Sequence, residues 1–150
     1  MRSMPVPAYV NSVSGPVLLF DGECGLCQRV VRFLLRLDRP GRLRFAPLQG
    51  SAAQAYLWKH GLDPVDFGSL VFIPDWNRRE QPEFLLRTDG AIAALRSCGG
   101  LGTMLAFISI LPRAWRDAAY RLIARWRYRI FGRWRPRPLA KTAWAERFIE

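Results

Sequence analysis

Val17-Leu18-Leu19-Phe20-Asp21-Gly22-Glu23-Cys24-Gly25-Leu26-Cys27-Gln28-Arg29-Val30-Val31-Arg32-Phe33-Leu34-Leu35 is the stretch on which the reading of this chain turns. Four consecutive apolar residues, Val17 to Phe20, predict a strand buried on both faces in the middle of a sheet. From Cys24 to Asp38 the apolar residues fall at helical spacing (Cys27, Val30, Val31, Leu34, Leu35, Leu37). The polar set Gln28, Arg29, Arg32, Arg36 and Arg39 gives that helix one basic face. A strand that turns sharply into a helix, with two thiols on the helix's first turn, is an arrangement suited to dithiol–disulfide chemistry. The free amide N–H groups of a helix start favour a thiolate, and the two-residue spacing lets both sulfurs meet on one turn. Two alternatives stay open on the residues alone: a pair of ordinary buried cysteines, or half of a metal site.

Working outward, Arg42-Leu43-Arg44-Phe45-Ala46-Pro47 alternates with a strand period, and Pro47 ends it. Ser51 to His60 reads as a helix capped by Ser51 and stopped by Gly61. Ser69 to Ile73 is a second apolar strand, Asp75 to Pro82 a polar loop, and Phe84 to Arg87 a returning strand. Thr88-Asp89 is expected to cap a helix from Gly90 to Cys98, followed by an apolar helix from Thr103 to Leu111. Pro112 then opens a long helix through Phe131, with Trp115, Ala118, Ala119, Leu122, Ile123, Trp126 and Ile130 expected inward. The order predicts an α/β fold with a small sheet of three or four strands.

Composition narrows the class. Of the 150 residues 50% are hydrophobic, so the chain can bury a real core. Three cysteines (Cys24, Cys27, Cys98) are too few for a secreted disulfide scaffold. The start lacks a basic–apolar–small leader, and the longest nearly uncharged apolar run, Leu101 to Leu111, is about half a bilayer span. A soluble, cytoplasmic protein is the expectation. The formal charge of +11 sits mostly at one end: residues 113–150 hold 11 Lys/Arg against 3 Asp/Glu. Expected boundaries are a flexible N-terminal tail over 1–15, a domain over 16–133, and a basic, proline-containing tail over 134–150.

The Asp21-Gly22-Glu23-Cys24-Gly25-Leu26-Cys27 segment resembles the DCC family of thiol-disulfide oxidoreductases, named for its Asp-x-x-Cys-x-x-Cys motif. Three further stretches resemble it in the same order: Arg44-Phe45-Ala46-Pro47-Leu48-Gln49, Thr88-Asp89-Gly90-Ala91, and Asp117-Ala118-Ala119-Tyr120 with Arg127-Tyr128-Arg129-Ile130-Phe131-Gly132-Arg133. The resemblance implies a thioredoxin-like fold, a three-layer sandwich with a small mixed sheet and additional C-terminal helices. It also implies a redox role for Asp21, Cys24 and Cys27. The chain departs from the pattern twice. It reads Trp134-Arg135-Pro136 where many relatives carry a further cysteine, and Gly68-Ser69 precede the strand where thioredoxin-like proteins place a cis-proline.

On this reading Cys24 is the exposed, attacking thiolate and Cys27 the resolving thiol. Asp21 either passes protons to and from Cys27 or bonds the turn, and Gly22 permits the sharp strand-to-helix turn. The partner is a protein or low-molecular-weight disulfide or thiol, and no organic cofactor is needed in the chain itself. A metal centre is disfavoured, because a structural zinc site needs about four ligands. The soft candidates beyond the pair, Cys98 and His60, stand on different predicted helices. The contrasting expectation is a non-catalytic module that uses its basic C-terminal helix. Arg113, Arg116, Arg121, Arg125, Arg127, Arg129 and Arg133, interleaved with Trp126, Tyr128 and Trp134, suit an anionic membrane surface or simply a solvated basic face. Nucleic acid fits less well, since no nucleic-acid fold motif accompanies them.

Overall fold

Val17–Phe20 forms the first strand, β1, and all four of its residues are buried, as an unbroken apolar run requires. The computed structural model describes residues 13–62, 70–134 and 142–149. β1 pairs in parallel with β2 (Arg44–Pro47), Val17 opposite Arg44 and Phe20 opposite Pro47. Its other side pairs antiparallel with β3 (Val71–Ile73), which pairs antiparallel with β4 (Leu85–Leu86). The strand order is β2-β1-β3-β4. The parallel β1–β2 pair needs a crossover, and α1 (Gly25–Leu37) supplies it. The other helices are α2 (Ser51–Lys59), α3 (Arg87–Cys98), α4 (Leu101–Leu105) and α5 (Arg113–Phe131).

Alternation along the strands divides the core. Val17, Leu19, Ala46, Val71 and Ile73 meet Ala52, Ala53, Tyr56 and Leu57 of α2, together with Trp76. Leu18, Phe20, Phe45 and Phe72 face the other way, onto Val31, Leu34 and Leu35 of α1 and Ala94 and Cys98 of α3. The result is the expected thioredoxin-like α/β arrangement, a four-stranded mixed sheet between helical layers.

Local differences from the sequence reading have local causes. Ser51 is the first helical residue rather than the cap; Gly50 holds that place with extended backbone, and its carbonyl accepts from the Gln54 amide at 3.0 Å. α3 begins at Arg87, not Gly90, and Thr88 gives its hydroxyl to Asp117 Oδ1 at 2.7 Å instead of capping. The apolar helix expected over Thr103–Leu111 divides into α4 and a 3-10 turn, Ala106–Ile110.

The orientation of α5 is the larger correction. Trp115, Leu122, Ile123, Trp126 and Ile130 were expected inward, yet all five are exposed. Arg127 is the buried residue of this helix. The surface beneath α5 presents polar groups that need partners. Arg116 Nη1 lies 3.2 Å from Asp89 Oδ1, and the Leu70 amide donates to the Tyr120 hydroxyl at 3.1 Å. Polar matching, not apolar burial, therefore decides which side of α5 faces the domain.

Residues 142–149, expected within a basic tail, pack back onto the core. Trp144 and Ile149 are buried, and the Ile149 amide donates to the Phe45 carbonyl at 2.7 Å. Arg147 anchors the segment. Its guanidinium pairs with Asp38 and donates to the Leu43 carbonyl at 3.0 and 2.8 Å, while Asp38 Oδ2 accepts from the Leu43 amide at 2.8 Å. Both charged side chains are buried. Removing one partner leaves an uncompensated charge out of water, so Arg147→Met is expected to lower stability by about 3–5 kcal/mol. Urea unfolding measures it, and a loss below about 1 kcal/mol, the range of exposed ion pairs, would show that water already screens this pair.

Candidate functional site

The turn after β1 is tied from several sides. The Cys24 amide donates to the Asp21 carbonyl at 3.3 Å, and the Glu23 amide donates to Asp21 Oδ1 at 3.0 Å. Gln49, just past β2, receives the Gly22 amide on its Oε1 at 3.0 Å and donates from Nε2 to Asp21 Oδ1 at 2.9 Å. Gly22 does not adopt a left-handed backbone. A side chain there would instead meet Gln49 Oε1 at 3.0 Å and Pro47 Cβ at 3.1 Å, so glycine serves the close approach of Gln49. This corrects the expectation that backbone freedom explains it.

Cys24 is the N-cap of α1, with extended backbone, and its Sγ accepts from the Cys27 amide at 3.4 Å. The sulfur thus takes the place an oxygen holds in a serine or aspartate cap, beside the positive end of the helix dipole. Both cysteines are free thiols. Their exposure is the reverse of expectation: Cys24 is 0% accessible, whereas Cys27 is partly exposed. The cover over Cys24 is the chain leaving α5. The Gly25 amide donates to the Gly132 carbonyl at 3.1 Å, the Trp134 amide donates to the Glu23 carbonyl at 2.8 Å, and Cys24 forms an antiparallel bridge with Arg133. Arg32 lies over the Trp134 ring at 4.8 Å and Arg29 over Phe131 at 5.3 Å. A Cβ on Gly25 would come within 2.6 Å of the Phe131 carbonyl oxygen, so only glycine lets this strap lie so close.

Two residues of α5 complete the cluster. Arg127 reaches in with Nη2 3.2 Å from Asp21 Oδ2 and Nη1 3.4 Å from Cys27 Sγ. Tyr128 donates its hydroxyl to Asp21 Oδ2. Asp21 therefore accepts from the Glu23 amide, Gln49, Tyr128 and Arg127. Burial raises its pKa, but the bonds from Tyr128, Gln49 and Glu23 and the charge of Arg127 outweigh that, holding it below the ordinary carboxylate value. The Cys27 thiol is pushed up to about 12, first by burial and then by its hydrogen bond to Cys24 and the charge on that sulfur; Arg127 pulls the other way. Burial also opposes the charge on Arg127, but the two thiols, Asp21 and Tyr128 more than restore it.

The structure brings Asp21, Gly22, Cys24 and Cys27 together and adds Gln49, to which the sequence reading gave no role, and Arg127 and Tyr128, which it assigned to the basic face of the C-terminal helix. Gln49 and Arg127-Tyr128 stand within the stretches that carry the family resemblance outside the cysteine motif, and that was the available signal. Cys98 and His60 lie apart from the pair. Cys98 is buried and donates to the Ala94 carbonyl at 3.3 Å; the His60 ring packs tilted against Tyr56, with Nε2 2.7 Å from the Arg79 carbonyl. Among the described residues no group of three metal-ligating side chains gathers. Gly68-Ser69, where a cis-proline was sought, lie outside the described residues. No described helix is long and apolar enough to cross a membrane.

The chain is 33% identical over 118 residues to the uncharacterized protein YuxK of Bacillus subtilis, covering 79% of this chain and 82% of that protein. It is 31% identical over 114 residues to a chloroplastic DCC family protein of Arabidopsis thaliana, covering 75% of this chain and 63% of the plant protein. No solved structure matches it. The model of the DCC1-like thiol-disulfide oxidoreductases matches residues 18–133, a span that contains the cysteine pair, Asp21 and the α5 residues that reach them. The chain belongs to the DCC1-like thiol-disulfide oxidoreductase family.

Proposed function

We propose that this chain exchanges disulfides through Cys24 and Cys27, with a protein or low-molecular-weight disulfide as substrate. The observation that carries the reading is the Cys24 sulfur in the cap position of α1, 3.4 Å from the Cys27 amide, with Cys27 Sγ against Arg127. In the reducing direction the Cys24 thiolate attacks one sulfur of the substrate disulfide. A Cys24–substrate bond forms, the substrate's S–S bond breaks, and the departing thiolate takes a proton from solvent. Cys27 then loses its proton to solvent and attacks Cys24 Sγ. The Cys24–Cys27 bond forms, the second substrate thiol leaves, and two electrons have passed from the dithiol to the substrate. The reverse sequence oxidises a substrate dithiol.

Arg127 is placed to stabilise the negative charge that develops on Cys27 in the second step. Asp21 serves as a positioning residue. With several donors on its oxygens and a lowered pKa it is a poor proton carrier, but it fixes the Arg127 guanidinium. Tyr128 holds the same carboxylate from the other side. Substrate reaches Cys24 only when the strap Gly132–Trp134 parts from residues 23–25, because the sulfur is closed to solvent while the strap lies in place.

Cys24→Ser is expected to abolish reduction of glutathione disulfide driven by a dithiol, whereas Cys27→Ser should accumulate a mixed disulfide on Cys24 visible by mass spectrometry. Equal rates in wild type and Cys24→Ser would instead point to the binding-module reading. Gly25→Ala, made in a Cys27→Ser/Cys98→Ser background, should speed alkylation of Cys24 about ten-fold, the factor that 1.4 kcal/mol of strap destabilisation yields. An unchanged alkylation rate would mean the strap does not limit access.

The Cys27 proton gives a third outcome. An unfolded thiol ionises near 9.0 and the folded Cys27 near 12, so between those values the unfolded state binds fewer protons and stability falls as pH rises. Thiolate absorbance of the folded Cys98→Ser protein should show the Cys27 step near 12. In Cys98→Ser/Cys24→Ser that step should move down toward 9.0 without reaching it, since burial remains when the Cys24 charge is gone. A step that stays in place would remove Cys24 as a cause.

A further inference from the structure

α5 carries two unlike faces. The inward side holds Arg116, Tyr120 and Arg127, each with a partner in the domain. The opposite side sets Trp115, Leu122, Trp126 and Ile130 along one stripe at intervals of a helical turn or two, with Ile123 at its edge. Trp115 is 70% exposed and Ile130 69%. Arg121, Arg125 and Arg129 are also exposed; Arg125 and Arg129 lie beside this stripe, and Arg121 stands further round the helix. Among the described residues none of the three pairs with a carboxylate. In the segment just before α5, Met104, Phe107, Ile110 and Leu111 are exposed as well.

An exposed apolar stripe on a docked helix is costly in water and calls for an occupant. The neighbouring charge says which. A second copy seated on this face by a two-fold axis would bring the arginine rows of both molecules together. The one acidic residue of α5, Asp117, is already taken by Thr88 and Arg113. A surface of anionic phosphates over an apolar interior matches both features at once. Tryptophan at Trp115 and Trp126 also suits the boundary between headgroups and acyl chains.

We propose that the outward face of α5 binds the surface of an anionic lipid bilayer. The helix lies in the interfacial plane, with its apolar stripe at the acyl boundary and Arg121, Arg125 and Arg129 on lipid phosphates. It does not cross the bilayer, because its 19 residues are not apolar enough. This inference does not rest on the redox reading, and Cys24→Ser should bind as the wild type does.

The test is flotation of the full chain with vesicles of phosphatidylcholine alone or mixed with phosphatidylglycerol. Binding is expected on the mixed vesicles at low salt, weakened by added salt, with a blue shift of tryptophan emission. Arg121→Gln/Arg125→Gln/Arg129→Gln should reduce partitioning about a hundred-fold, at about five-fold for each arginine near the surface. Leu122→Ser/Ile123→Ser should reduce it as well, with circular dichroism and thermal unfolding confirming that both variants fold. No binding to the mixed vesicles at low salt overturns the proposal. So does undiminished binding by the arginine variant, or a dimer by light scattering that Leu122→Ser/Ile123→Ser dissociates.

Discussion

The ion pair between Arg127 Nη2 and Asp21 Oδ2, 3.2 Å long and nearly closed to solvent, joins the end of β1 to the last turns of α5. A guanidinium keeps its charge at any ordinary pH, so burying it obliges the fold to surround it with acceptors. Asp21 and Cys27 provide two, for Nη2 and Nη1, while Nε finds none among the described residues. Asp21 in turn needs donors, and Tyr128, Gln49 and the Glu23 amide converge on it. Each contact fixes an element: Gln49 the chain after β2, Glu23 the turn into α1, Tyr128 the rotation of α5. From that rotation Gly132–Trp134 leave the helix across Cys24. The pairing of one buried arginine thus determines both what Cys27 touches and what covers Cys24.

The same constraint explains what could and could not be read in the amino-acid sequence. β1, α1 and the cysteine pair were legible because a short apolar run, a glycine turn and helical spacing are all local signals. A sheet of three or four strands followed from the order of elements, and its mixed pairing from the family resemblance. The rotation of α5 was not legible, because a periodic stripe of Trp, Leu and Ile ordinarily marks the buried face. Here the partners that reverse the rule, Asp89 and Asp21, belong to distant parts of the chain and meet α5 only after folding. Arg147 hid for the same reason. Its partner Asp38 lies 109 residues away, and among so many arginines neither Arg127 nor Arg147 announces itself.

Cys24 shows how a correct local inference can still misplace a group. Its position at the start of α1 is as the spacing indicated, and the sulfur does accept a helix-start amide. Exposure, however, is not a property of α1 alone. It depends on where Gly132 and Trp134 run, and the clue to that was Gly25. A glycine between two cysteines reads as flexibility, yet its use here is to admit a backbone carbonyl to within 2.6 Å of where a side chain would begin.

Placing the thiols beneath the exit of α5 ties two surfaces of one rigid rod. Its inner face ends in the guanidinium that touches Cys27, and its outer face carries the tryptophans and arginines left to solvent. A 19-residue helix held by several polar contacts along one side cannot roll without breaking them. A load on the outer face is therefore transmitted as translation or tilt, not rotation. Beyond the helix, the strap Gly132–Trp134 is what lies over Cys24. Two backbone bonds and the rings of Phe131 and Trp134 under arginines hold it over Cys24. On the proposed function, access to the buried sulfur is governed at the end of the helix, while the Arg127–Asp21 pair keeps the rest of the site assembled.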